Sequence, residues 1–94
     1  MTTTVRTIDY IVSDPAIRSG SPCLRGTGLR VSDVVAPAFF HGQSPDEIAL
    51  GFEISLAAVY AALSYFYDHQ EEIRADWERD SSRIEEAKRK AQNG

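Results

Sequence analysis

Apolar and polar positions divide this chain into a short extended opening, a glycine-rich segment and a helical remainder. Tyr10-Ile11-Val12 predicts a short strand, and Ser13-Asp14-Pro15 starts a turn. Residues 19–28 hold three glycines and Pro22, so they predict a loop or a short edge strand. Leu29-Arg30-Val31 predicts another short strand. A first helix, capped by Ser32 or Asp33, runs to Phe40-His41 before Gly42. Pro37 lies past its first turn, which predicts a late start or a kink. Ser44-Pro45-Asp46-Glu47 combines a capping serine, proline at the first helical position and a glutamate that can bond back to the cap. It opens a second helix ending near Gly51-Phe52.

Ser55 caps a third helix with a long seam. Leu56, Val59, Leu63, Phe66, Gln70, Ile73, Trp77, Asp80, Ile84, Ala87 and Ala91 recur at alternate spacings of three and four. Ser82-Arg83-Ile84-Glu85 is another capping box, so a break is expected at Asp80-Ser81-Ser82. From Ser55 to Arg79 alone such a helix would be about 37 Å long. Two short preceding helices could not cover it. The fold expected is mainly α: a small N-terminal β element, a helix-turn-helix-like three-helix core and a long C-terminal helix. Residues 1–70 would form the core unit and 71–94 an amphipathic tail for partner binding.

Composition changes this picture little. A chain of 94 residues forms one domain with a modest core, which a dimer or partner would assist. No apolar run reaches the roughly 20 residues needed to cross a bilayer, and the amino terminus lacks a signal-peptide core. Cys23 is the single cysteine, so no internal disulfide can form. A cytoplasmic protein is expected. Charge is more informative. Residues 1–30 carry Arg6, Arg18, Arg25 and Arg30 against Asp9 and Asp14, a net +2. Residues 31–80 carry Arg74 and Arg79 against ten carboxylates, a net −8. Residues 81–94 return to +2. Nucleic acid would be repelled by the middle and attracted by the ends.

The chemistry points to binding, with no enzyme, metal or cofactor expected. His41 and His69 have no metal-ligand spacing, Cys23 has no CxxC companion, and no nucleophile meets a positioned base. The glycine loop fits neither phosphate-binding fingerprint. The helical pair at residues 44–69 has helix-turn-helix shape, yet no Arg, Lys, Asn or Gln lies between Ser44 and His69 to read a base edge. The row containing Ala58, Ala61 and Ala62, with Tyr65, suits close helix approach, as core or as a dimer interface. Arg18, Arg25 and Arg30 are the DNA candidates, through backbone phosphates. The alternative is ordinary solvated arginines or partners for the acidic helices. Ile73 and Trp77 stand in a charged stretch, and Ile84 extends their stripe. So little chain remains to bury them that an intermolecular contact is favoured over the chain's own core.

Several of these residues occur together in a known family. Ser13-Asp14-Pro15, Gly20-Ser21-Pro22-Cys23-Leu24-Arg25-Gly26-Thr27 and Val31, then Gly42-Gln43-Ser44-Pro45-Asp46-Glu47-Ile48 and Ala61-Ala62-Leu63-Ser64-Tyr65, resemble the bacterial domain-of-unknown-function family 433 over roughly residues 8–73. The resemblance implies a small, often dimeric, helix-turn-helix-like protein. It also implies a VapB-like antitoxin of a type II toxin-antitoxin system, paired with a PIN-type ribonuclease toxin and autoregulating its operon by binding promoter DNA. Arginine usually follows the family's Gly-Thr pair; here Gly28 stands there and arginine comes at Arg30. In antitoxins the tail commonly holds the toxin, which matches the stripe of Ile73, Trp77 and Ile84. Two other readings compete: a stand-alone DNA-binding transcriptional regulator, and an assembly adaptor that binds no DNA.

Overall fold

The computed structural model describes residues 2–6 and 8–93. The protein is mainly helical, with a small antiparallel two-stranded sheet ahead of four α-helices. Strand β1 (Ile11–Val12) pairs with β2 (Cys23–Leu24), Ile11 opposite Leu24 and Val12 opposite Cys23. A single 3-10 turn, Arg18–Gly20, lies between the strands. The third expected strand is absent. Arg30 forms only an isolated bridge to Cys23, and Val31 already begins a helix.

Helix α1 spans Val31–Phe40 and α2 spans Pro45–Phe52. α1 starts earlier than expected and runs through Pro37. Asp33 Oδ2 accepts from the Arg30 backbone N–H, which satisfies a free donor one turn ahead of the helix. Val31, Val34 and Val35 are fully buried, and their packing offsets the bond that Pro37 cannot make. α2 follows its sequence closely. The Ser44 hydroxyl accepts from the Glu47 backbone N–H, and the Ser44 N–H donates to the Glu47 carboxylate. The helix ends at Glu53 in a left-handed conformation, and Ser55 caps α3 (Leu56–Asp68).

The seam of the third predicted helix belongs to two helices. The chain leaves helical geometry at His69 (φ −136°, ψ 45°), and α4 runs from Gln70 to Asn93 without a break at residues 80–82. The His69 ring stacks on Tyr65 with centroids 4.0 Å apart, and the Tyr65 hydroxyl donates to Glu72 on α4. Redirected there, α4 packs against α1 as well as α3. Leu24, the α1 valines, Ile48, Val59, Ala62, Phe66 and Ile73 form one core, so the core crosses residue 70. The molecule measures 68 × 29 × 23 Å. Its length comes from α4, whose residues 81–93 are all exposed.

Candidate functional site

The three sets of candidate residues occupy different environments. Ala58 and Ala62 are buried in the core, where their small side chains let α1 and α2 approach α3. They are not free to form the expected dimer face. Ala61 and Tyr65 stay half-buried beside a shallow groove that Ile11, Val12, Ser64 and Asp68 also line. Burial, and then the Glu72 carboxylate, push the Tyr65 phenol above its usual pKa.

Ile73 is fully buried, which corrects the expectation that it faces a partner. The turn at His69 swings it inward. Trp77 is half-buried. Its indole N–H donates to the Ser32 carbonyl at 2.9 Å, and its ring lies 5.0 Å from Phe40, 5.6 Å from Phe66 and 6.1 Å from Phe39. One edge meets the core while the other lines an open groove with Phe40, Arg74 and Ser81. Ile84 is exposed. Phe39, Phe40 and Tyr67 are exposed aromatics that the sequence reading missed. Phe39 and Phe40 are adjacent at the end of a helix whose inward face the valines already occupy. Consecutive helical residues point about 100° apart, and with the inward face taken both rings stay partly exposed, Phe39 at 44% and Phe40 at 62%. Phe40, Trp77 and Ile84 form a track in series from the end of α1 down one face of α4, with Ser81 between Trp77 and Ile84.

The arginines also divide. Arg30 is a structural tie. Its guanidinium bonds Asp33 at 2.8 and 3.1 Å and Asp80 at 2.7 and 3.2 Å, joining the start of α1 to the middle of α4. Its side chain is only 11% exposed. With its donors engaged, it is corrected from a phosphate contact to an internal brace. Hydrogen bonds to Asp33, then to Asp80, raise its pKa further. Burial opposes ionisation of Asp33, but the Arg30 hydrogen bonds and charge outweigh burial and hold the carboxyl below the usual range. Arg18 is half-exposed, with a long 3.8 Å ion pair to Asp33. Arg25 is exposed at the exit from β2, with no ion pair among the described residues.

The helix-turn-helix surface is unlike a base-reading one. α2 and α3 meet at 116°. Their exposed residues include Asp46, Glu47, Leu50, Glu53, Leu56 and Tyr60, with no cation. An acidic, partly apolar face repels phosphate and suits protein contact. Among the described residues, no group of histidine, cysteine or carboxylate side chains could hold a metal ion. No single helix there is long and apolar enough to cross a membrane.

Comparison with known proteins agrees with the sequence motifs. No curated protein and no solved structure matches the chain. The profile described as "Protein of unknown function (DUF433)" matches residues 11–66, from β1 through most of α3 and more than half of the sequence. The protein therefore belongs to the DUF433 family.

Proposed function

We propose that this protein is the antitoxin of a type II toxin-antitoxin pair. The Phe40–Trp77–Ile84 track and the end of α4 would hold the toxin, and a dimer would bind the operon's promoter. The observation that carries the reading is the extension of α4. Every residue from 81 to 93 is exposed, yet Ile84, Ala87 and Ala91 keep an apolar stripe there. A free helix of that length is marginal in water, and its stripe has nothing in the chain to cover. A partner groove would supply the missing packing, as when an amphipathic helix seats its apolar face. The extension carries Arg83, Lys88, Arg89 and Lys90 against Glu85 and Glu86. Lys88, four residues from Ile84 and flanking its stripe, complements the carboxylates of a metal-dependent nuclease such as a PIN-type ribonuclease.

Co-expression with the product of the adjacent gene tests the reading. The two products should copurify, the partner alone should be toxic, and Ile84→Ala or Phe40→Ala should weaken the complex. Copurification with a partner harmless on its own would favour the adaptor reading. Loss of neither affinity nor protection in both variants would refute the proposed surface.

A further inference from the structure

Arg18 from the basic opening segment and Arg83 from the basic closing one line the same cleft. The 3-10 turn carrying Arg18 lies against α4, and between them is a cleft of about 410 Å³. Arg18, Ser19, Ser21, Arg79 and Arg83 line it, with the Arg30–Asp80 ion pair in its wall. The turn is held in an unusual backbone state: Arg18, Ser19 and Gly20 all have positive φ, at 49°, 57° and 84°. α4 supplies its arginines one turn apart, and each is placed differently. Arg79 is fixed by Asp76, a buried carboxylate that also accepts from the Ser21 hydroxyl. Arg83 has no ion-pair or hydrogen-bond partner among the described residues and is exposed.

Four arginines against Asp33, Asp76 and Asp80 leave this corner with net positive charge, concentrated on Arg18 and Arg83. Lys90 lies seven residues beyond Arg83 on the same face of α4, with Glu86 between them and 3.6 Å from the Lys90 ammonium. That face of α4, from Arg79 to Lys90, covers about 16 Å of helix and alternates in charge at Glu86. It sits about a third of a turn round α4 from the stripe of Trp77 and Ile84. An arginine-lined cleft whose net charge comes from two elements, the 3-10 turn and α4, fits a polyanion better than a single carboxylate. Guanidinium forks and serine hydroxyls are common phosphate ligands.

We propose that this cleft is a nucleic-acid phosphate site: Arg18, Arg79 and Arg83 grip the backbone of duplex DNA, and the helix-turn-helix pair α2–α3 contributes no residue to it. This rests on the DNA-binding half of the proposed function and relocates the contact. It also leaves the apolar track free, so DNA and a protein partner occupy separate faces of α4.

The test is binding of the full chain to a short fluorescein-labelled duplex of mixed sequence, followed by anisotropy across a salt series. Wild type binds at low salt. Arg18→Ala and Arg83→Ala each lower the slope of log K against log salt by about one, the value for one lost phosphate contact. Arg74→Ala, which removes one positive charge from another face of α4, leaves the slope unchanged. Unchanged slopes for Arg18→Ala and Arg83→Ala, or an equal fall for Arg74→Ala, would overturn the cleft assignment while leaving DNA binding intact. No binding by wild type at low salt would overturn both the assignment and the DNA-binding reading, without touching toxin capture. If Arg18→Ala and Arg83→Ala instead lose the copurifying protein and keep their salt slopes, the cleft is a protein site. Far-ultraviolet circular dichroism checks that each variant is folded; both arginines are exposed enough for that to be expected.

Discussion

Ile73→Ala and Ile84→Ala form a paired test of how α4 is used. Both remove three carbons from isoleucines on one helix stripe. Ile73 is fully buried against α1 and α3, while Ile84 is 56% exposed. At about 0.8 kcal/mol per buried methylene, Ile73→Ala loses about 2.5 kcal/mol of transfer free energy. The cavity adds to this, since a packed site only partly relaxes, and the total falls at about 3–4 kcal/mol. For a domain of this size each kcal/mol moves Tm by about 4–8 °C, so Ile73→Ala should melt about 12–32 °C lower. Ile84→Ala should stay within about 0.5 kcal/mol of wild type, as ordinary surface changes do. Urea unfolding followed by Trp77 fluorescence, with thermal melts by circular dichroism, gives both values. Equal destabilisation by the two variants, or a change below 1 kcal/mol for Ile73→Ala, would refute the return of α4 onto the core at His69.

Three further outcomes follow from local chemistry. Asp33 has its folded pKa held below the ordinary aspartate value, so its stabilising contribution is present above about pH 4 and lost as pH falls through the folded value. Urea midpoints from pH 6 to pH 2 should therefore decline less steeply in Asp33→Asn, which starts from a lower stability; parallel curves would contradict the assignment. Ser44→Ala should cost about 1 kcal/mol in chemical denaturation, because the Glu47 backbone N–H loses its cap, with Ser44→Gly much closer to wild type. Burial pushes the Cys23 thiol above its usual pKa, so it should react with a thiol reagent slowly when folded and fully in urea. Rapid labelling of native protein at neutral pH would show that the β2 region opens more readily than its packing implies.

Local signals in the sequence were sufficient where a few neighbouring residues decide the outcome. Ser44, Pro45 and Glu47 specify α2 almost completely, and their two reciprocal hydrogen bonds are present. Val59, Phe66, Ile73 and Trp77 of the apolar seam pack on the core while Leu56 and Ile84 are exposed, and period alone does not reveal a change in helix direction. At His69 the helix breaks without glycine or proline, and the break is supported by Tyr65, Glu72 and the burial of Ile73. Those are tertiary effects. The same gap explains the early start of α1 and the reassigned residues. Arg30 reads as a free cation beside a glycine loop until Asp80, fifty residues away, is seen to pair with it. Ala58 and Ala62 read equally as core or contact face, and only the packing of α1 and α2 decides. The aromatic pair Phe39-Phe40 could have been found, because the valines had already used the inward side of α1.

The Arg30–Asp80 pair has one more consequence, for where along α4 the protein opens. Among the described residues it is the last ion pair or hydrogen bond between that helix and the body, and beyond it the backbone bonds of residues 81–93 are supported by the helix alone. Amide hydrogen exchange should therefore show a step along one continuous helix. Protection ahead of residue 80 should approach the global unfolding free energy, and the final turns should exchange through local fraying. Asp80→Asn would move that step toward the amino end of α4, while any molecule seated on the extension would move it the other way.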